Sequence, residues 1–405
     1  MKTIIILGDG MADYPVRELD GKTPLQFADT PAMDWIAKNG KTGLFKTLDE
    51  DLPKGSAVAN LAVLGYDPHV TFQGRGVLEA ASLGVVLKEQ EIALRVNLMC
   101  IEDGKIKSHS AGHITDAEAG ELIRAVQKHF KGRPFNFTQG LSYRHLLVLE
   151  DGDPAVDCAP PHDHVGETVE SLMVKAVNPQ AGATADLLNA LIRESWEVLE
   201  NHPVNLERKK REQQPANSLW PWSPGRKPVM KTFMERFGVS GAVISAVDLI
   251  KGLGVFAGLD VIHVEGATGL YDTNYEGKAD AAIKALETRD FVYTHVEAAD
   301  EAGHDRNAAL KVRCIEDLDQ RLIARIMDRL GPKMDETIIA VLPDHPTPVI
   351  NGAHARDPVP VAIYVPGETP DAVRTYDEFA VKDGALGLMH GEDFIRHALD
   401  IKTEL

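Results

Sequence analysis

The sequence predicts an α/β protein in which a mostly parallel β-sheet is sandwiched by helices and a smaller α/β domain is inserted. Three observations carry this expectation. Short apolar, β-rich runs bounded by Gly or Pro recur along the 405 residues, and helical stretches separate them. Each run leads into, or follows, a loop that bears Asp or His. A central stretch interrupts the alternation with helices, a strand and Pro-rich loops of its own.

Taken in order, residues 3–7 (TIIIL) form the first run and stop at Gly8-Asp9-Gly10, a buried strand followed by a tight turn. Residues 291–296 lead into EAADEAGH, and 337–342 lead into PDHPTP. A fourth run, 359–365, follows an AHARDP loop. Helices are predicted over 276–287 and 309–330. Near-continuous apolar strands alternating with helices mark a sheet covered on both faces. In such sheets ligands bind beyond the carboxyl ends of the strands. Asp9, Asp300, Asp344 and His345 all fall just past an apparent strand, a placement that a purely structural chain has no reason to repeat.

The expected domains are a core in two parts, residues 1–71 and 215–405, with 72–214 inserted between them. Inside the insertion, helices are predicted at 116–130 and 183–200 and a strand at 145–149, among loops such as CAPPHDH. The polar run ERKKREQQ at 207–214 reads as a solvated connection.

Composition narrows the function. Lys and Arg number 43 against 61 Asp and Glu, a formal net charge of -18. That argues against nucleic-acid or membrane-surface partners, which require a basic face. It leaves room for a small anionic substrate, because a few arginines and bound cations reverse the field in one cleft. Cys100, Cys158 and Cys314 are too few and too scattered for a disulfide framework or a CxxC clamp, which points to a reducing compartment. The apolar run 4–7 is too short for a signal sequence, and no stretch approaches the ~18 residues that span a bilayer. A soluble, cytoplasmic protein is expected; the sequence leaves the oligomeric state open.

The strongest local signal is HVEAADEAGHDRN. A helix beginning near Glu297 places Asp300 and His304 at i and i+4 on one face, able to reach a single metal ion. Asp344 and His345 follow the run IIAVL directly; they read either as a pair facing a metal cleft from a turn or as a Pro-bounded turn with a capping Asp. His354 lies in the loop before the next strand. Joined to Asp9, these residues supply three carboxylates and three imidazoles, more donors than one ion needs. The mixture suits Mn²⁺ or Zn²⁺ better than Mg²⁺, which prefers oxygen and water. Two neighbouring ions clamp the attacking and leaving oxygens of phosphoryl transfer. Ser56, in KGSAVAN, opens a small-residue helix. It reads either as a helix N-cap or as a nucleophile at the positive end of the helix dipole, where a phosphate is favoured.

The segments GDGMAD, GSAVANLAVLGYDP, GRGVLEA, GAVISAVDLIKG, VEGATGLYDTNYEGKA, EAADEAGH, LPDHPTP and HARDPVP run in this order over almost the whole chain. Together they resemble the cofactor-independent phosphoglycerate mutases of the archaeal type, members of the alkaline phosphatase superfamily. The resemblance implies an alkaline phosphatase-like core and two divalent ions, Mn²⁺ first, with Zn²⁺, Co²⁺ or Mg²⁺ as alternatives. It puts Asp300, His304 and His354 on one ion and Asp9, Ser56, Asp344 and His345 on the other. Ser56 becomes the transiently phosphorylated residue. The implied activity is the glycolytic and gluconeogenic interconversion of 3-phosphoglycerate and 2-phosphoglycerate, with no 2,3-bisphosphoglycerate. The phosphate passes to Ser56 and back to the trapped glycerate, with the inserted domain closing to exclude water. Candidate substrate cations are Arg75 in QGRGV, Arg144 in SYRH, Arg226 in SPGRKP and Lys251 in DLIKG. His162 and Asp163, in APPHDH, are candidates for proton transfer or hydroxyl binding. Each also has an ordinary structural or surface reading.

On the substrate side the pattern departs from the family's. Ser108-His109-Ser110-Ala111-Gly112-His113 carries two histidines where the family often has a basic, arginine-bearing turn. A homoserine kinase-like phosphotransferase is therefore one alternative, although no GxxxxGK[ST] phosphate loop is present. A metal-dependent phosphatase is another, since the same site hydrolyses esters once water enters.

Overall fold

The computed structural model describes residues 1–401. They fall into two compact units, one made of Met1–Phe72 with the chain from Val229 onward, the other of Gln73–Pro228.

The first unit is built on an eight-stranded sheet. Its order is Asp260–Ile262, Gly241–Ile244, Phe291–Val296, Lys2–Gly8, Thr337–Leu342, Val359–Tyr364, Lys41–Phe45 and Gly387–Met389. Every neighbouring pair is parallel except the two made by Val359–Tyr364, which runs against the rest. Helices cover both faces, which is why the central strands read as unbroken apolar runs. Ile4, Ile6, Val292, Ile339 and Val341 pack with Met33, Ile36, Ala279, Ala282, Ile315 and Leu322 in one core.

Register explains how distant residues meet. Leu7 pairs with both His295 and Leu342, so Asp9, Glu297 and Asp344 leave the sheet at one level. The reversed strand pairs Val341 with Ala362 and Ile339 with Tyr364. Its amino end therefore lies beside the carboxyl ends of the others, and the loop that precedes it, carrying His354, emerges at the same edge.

The predicted helix 276–287 is Tyr275–Leu286. The stretch 309–330 is a helix Ala308–Asp317, a π-helical segment Leu318–Ile323 and a helix Ala324–Leu330. The π segment carries Asp319, whose carboxylate accepts the amides of Ala32 and Met33 at 3.1 and 2.7 Å. These are orphan donors at the start of the helix Pro31–Asn39.

In the second unit an antiparallel sheet centres on Ile92–Glu102, flanked by Arg144–Leu149 and Ser218–Arg226. The helices Asp116–His129 and Gly182–Leu199 pack onto it through Leu122, Val126, Leu188 and Ile192. The expected boundary at 214 differs from the observed one. Ser218–Arg226 pairs with Ile92–Glu102 from Met99↔Ser218 to Ile92↔Arg226, so the unit runs to Pro228. Pro221 and Pro224 disguise that strand, since proline removes a ladder donor. The first half of the polar run that suggested a junction, residues 207–210, instead ends the helix Pro203–Lys210.

Among the described residues, no helix is long and apolar enough to cross a membrane. Cys100, Cys158 and Cys314 are free.

Candidate two-metal active site

Gly55, at φ 151°, turns the chain into the helix Ser56–Val63 and is itself the N-cap. Ser56 is thus the first helical residue, and its hydroxyl caps nothing. It lies 3.2 Å from His345 Nε2 instead. One turn on, the fully buried Asn60 donates to the Ser56 carbonyl at 2.8 Å and to Asp344 Oδ2 at 2.9 Å, while Tyr293 donates to its Oδ1. The serine helix is thereby tied to the Asp344 loop.

The sheet-end residues gather into two adjacent donor sets. Asp300, His304 and His354 present ligand atoms within 4.8 Å of one another, and so do Asp9, Asp344 and His345. In the first set His304 Nε2 lies 3.1 Å from Asp300 Oδ2 and 3.0 Å from His354 Nε2. His304 Nδ1 donates to the Gly352 carbonyl at 2.8 Å, so Nε2 is the nitrogen turned towards Asp300 and the one that a cation would take in place of its proton. In the second set Asp344 Oδ1 accepts the amides of Gly10 and His345 at 3.1 and 2.9 Å. His345 Nε2 lies 3.6 Å from Asp9 Oδ1. The rings of His345 and His354 are 4.0 Å apart, centroid to centroid, so the two sets adjoin.

Charge at this edge is strongly unbalanced. Burial, then the carboxylates of Asp344, Glu297 and Asp300, push Asp9 well above the usual carboxylate range. Burial and then Asp300 raise Glu297 to about 8. Burial alone would raise Asp300 as well, but hydrogen bonds from His304 and His354 hold it well below its ordinary value. The hydrogen bond to Asp300 lifts His304 to about 9, while burial depresses His345. Asp9 Oδ1 is buried with no hydrogen-bond partner. Such an atom costs about 1–3 kcal/mol unless something pairs with it. Convergent imidazoles, crowded carboxylates and this orphaned oxygen fit a pair of divalent cations.

The remaining predicted residues are not members of these donor sets. Lys251, on the helix Asp248–Phe256 of the first unit, pairs with Asp248 at 3.1 Å. Arg75, Arg144, Arg226, His162 and Asp163 belong to the second unit. There Arg75 opens the helix Arg75–Ser82 and the Arg144 guanidinium lies over Tyr143. Both act electrostatically on the buried Arg95, whose guanidinium stacks 4.6 Å from the Trp222 ring and pairs with Glu79 at 2.8 Å. His162 packs on the same Trp222 at 5.3 Å, 3.6 Å from Asp163 Oδ1. Burial, with the charges of Arg75, His109 and Arg95, depresses its pKa against the pull of Asp163. Arg226 stands apart, with its guanidinium bound to the carbonyls of Glu89, Gln90 and Gly152.

A protein of Methanosarcina acetivorans named 2,3-bisphosphoglycerate-independent phosphoglycerate mutase is 50% identical over 397 residues, 98% of each chain. The present chain belongs to that family. A sequence model of the family, described in the same words, matches residues 37–205. A solved structure of a Pyrococcus horikoshii protein superposes with a TM-score of 0.85 at 31% identity, covering 100% of this chain and 98% of the other. A cofactor-independent phosphoglycerate mutase from Thermoplasma acidophilum gives 0.67 at 29% identity, over 99% and 98%.

Sequence reasoning for this phosphoglycerate mutase family member missed several residues that shape the site. Asn60 is the one polar side chain after Ser56 in the helix SAVANLAV, a visible anomaly. Thr347, within PDHPTP, donates to Asp300 Oδ1 and lies 3.2 Å from His345 Nδ1. His295 and Glu297 sit in HVE, just upstream of Asp300, and share a third set of ligand atoms with Asp9. Arg95 interrupts the apolar strand IALRVNLM, which could have flagged it.

Proposed function

We propose that this chain interconverts 3-phosphoglycerate and 2-phosphoglycerate without 2,3-bisphosphoglycerate, passing the phosphoryl group through Ser56. The observation that carries this is Ser56 Oγ, 3.2 Å from His345 Nε2, at a helix N-terminus beside two adjoining sets of His and carboxylate donors. Asp300, His304 and His354 would hold one ion, and Asp9, Asp344, His345 and Ser56 the other. Bound there, a divalent pair lowers the pKa of the serine hydroxyl and offsets the charge of the phosphoryl oxygens. The donor chemistry favours Mn²⁺ among the candidates.

In the forward half-reaction a bond forms between Ser56 Oγ and phosphorus as the bond from phosphorus to O3 breaks, and the hydroxyl proton ends on O3. The glycerate turns, its O2 bonds to phosphorus as the Oγ bond breaks, and the O2 proton returns to Ser56. No atoms or charge are gained or lost, so neither nucleotide nor bisphosphoglycerate is required. The helix amides at Ser56 face the anionic phosphoryl group, and Asn60 keeps the serine in register with Asp344. Arg75 and Arg144 are proposed as cations for the substrate, with His162 and Asp163 for its hydroxyl; Lys251 is proposed as a cation for the phosphoryl group. Arg226, bound to three carbonyls, is the weaker candidate. A cytoplasmic location accords with glycolytic chemistry and with free thiols.

The test is conversion of 3-phosphoglycerate coupled to enolase, with Mn²⁺, with EDTA, and with free phosphate followed in parallel. Mn²⁺-dependent conversion without bisphosphoglycerate or phosphate release is expected. Net phosphate release would indicate a phosphatase, and no conversion by Mn²⁺-loaded protein would overturn the substrate assignment.

A further inference from the structure

His295 is the penultimate residue of the strand Phe291–Val296, and the mechanism above gives it no role. Its side chain is completely buried. Nε2 lies 2.9 Å from Asp9 Oδ2, and Nδ1 lies 3.2 Å from Ser245 Oγ, just past the strand Gly241–Ile244. With a cation bound Asp9 would be ionised and could only accept, which puts the imidazole proton on Nε2, pointing at Asp9. Nδ1 then faces the Ser245 hydroxyl, whose proton is free to be donated to it. Ser245 Oγ in turn accepts the Val247 amide at 3.0 Å. The backbone at His295 is itself anchored, because the buried Lys278 donates to its carbonyl at 3.0 Å.

The chain Val247 amide, Ser245 hydroxyl, His295 imidazole and Asp9 carboxylate is directional, with every donor matched. It ends on one oxygen of Asp9 and leaves the other, Oδ1, facing His345 Nε2 at 3.6 Å. We propose that His295, braced by Ser245, is a positioning residue that fixes the Asp9 carboxylate so that Oδ1 is presented to a cation shared with Asp344 and His345. This rests on the two-ion reading above. Asp9, His295 and Glu297 also bring ligand atoms within 4.8 Å of one another. A third ion there would require His295 Nε2 to give up its hydrogen bond to Asp9, and the geometry favours the positioning role.

The experiment is Mn²⁺ titration of the chelator-stripped, full-length protein, counting ions bound and measuring each dissociation constant. It compares wild type with His295→Ala, His295→Gln and Ser245→Ala. Outer partners of metal ligands typically contribute about 10–100-fold to affinity. Wild type should bind two Mn²⁺. His295→Ala should weaken one of them by about that factor and leave the other unchanged. His295→Gln, which keeps a donor towards Asp9, should recover most of the loss. Ser245→Ala should show a smaller loss at the same ion, and it carries the test should His295→Ala fail to fold. Unchanged affinities in the variants, with two ions still bound by wild type, would overturn the positioning role alone. Three ions in wild type, one of them lost in His295→Ala, would make His295 a ligand instead. A wild type that binds no Mn²⁺ would overturn the two-ion reading along with it.

Discussion

Replacing Lys311 by Met should loosen the edge of the sheet on which the site is built. Lys311 lies on the helix Ala308–Asp317 and is completely buried. Its ammonium donates to the Ala12 carbonyl at 3.1 Å, the Thr347 carbonyl at 2.8 Å and Asp13 Oδ2 at 2.8 Å. One charge thereby joins the loop that follows Asp9 to the loop that follows Asp344 and His345. Met conserves the volume and removes the charge. Two carbonyls lose a donor, and the buried Asp13 carboxylate retains the Val349 and Tyr14 amides, at 3.1 and 2.7 Å. Removing one side of a buried pair costs about 3–5 kcal/mol, and the two remaining amides place this case near 3. For a unit of this size that corresponds to a fall in Tm of roughly 6–12 °C. The assay is calorimetry of the metal-free protein, followed by Mn²⁺ titration of the folded variant, which should bind more weakly. The double variant Lys311→Met with Asp13→Asn should recover much of the loss, because no unpaired charge is then buried. A fall below ~2 °C with unchanged Mn²⁺ affinity would refute the reasoning.

Two further perturbations probe other parts of the account. Gly10 has φ 61°, and a Cβ there would stand 2.6 Å from Asp300 Cα. Gly10→Ala should therefore displace Asp300, a proposed metal ligand, read as a weaker Mn²⁺ affinity with little change in the second unit. In that unit His145 is buried, its Nδ1 accepts the Gly140 amide at 3.2 Å, and burial depresses its pKa to about 4. The unfolded chain binds this proton at higher pH than the folded one, so stability is lost as pH falls from about 6.5 towards 4, by about 2 kcal/mol at pH 5. His145→Asn should flatten that part of the wild-type stability–pH profile in chemical denaturation; an unchanged profile would rule out the buried neutral imidazole as its cause.

Much of the fold was legible because the strands around Lys2–Gly8 are buried on both faces and carry their apolar runs without interruption. The six sheet-end residues proposed as ligands were picked out for the same reason, since each follows or precedes such a run. Register was not legible. Nothing in AHARDP says that the strand after it is reversed, yet that reversal brings His354 to the edge where Asp300 and His304 stand. Ser56 showed two possible roles, and only Gly55 taking the capping position frees its hydroxyl to face His345. The strand WPWSPGR was hidden by its prolines, which moved the expected boundary. Asn60, His295, Thr347 and Lys311 were passed over because each acts through another residue, and partners 47 to 299 positions away appear only in three dimensions.

The central claim is that the phosphoryl group resides on Ser56 between the two half-reactions. It is tested most directly by acid-quenching the Mn²⁺-loaded protein during turnover of 3-phosphoglycerate and mapping phosphorylated peptides by mass spectrometry. The account predicts one phosphoryl group on the peptide that contains Ser56, absent from Ser56→Ala, which should show no conversion. Near-wild-type conversion by Ser56→Ala, or a phosphoryl group on a different residue, would contradict it.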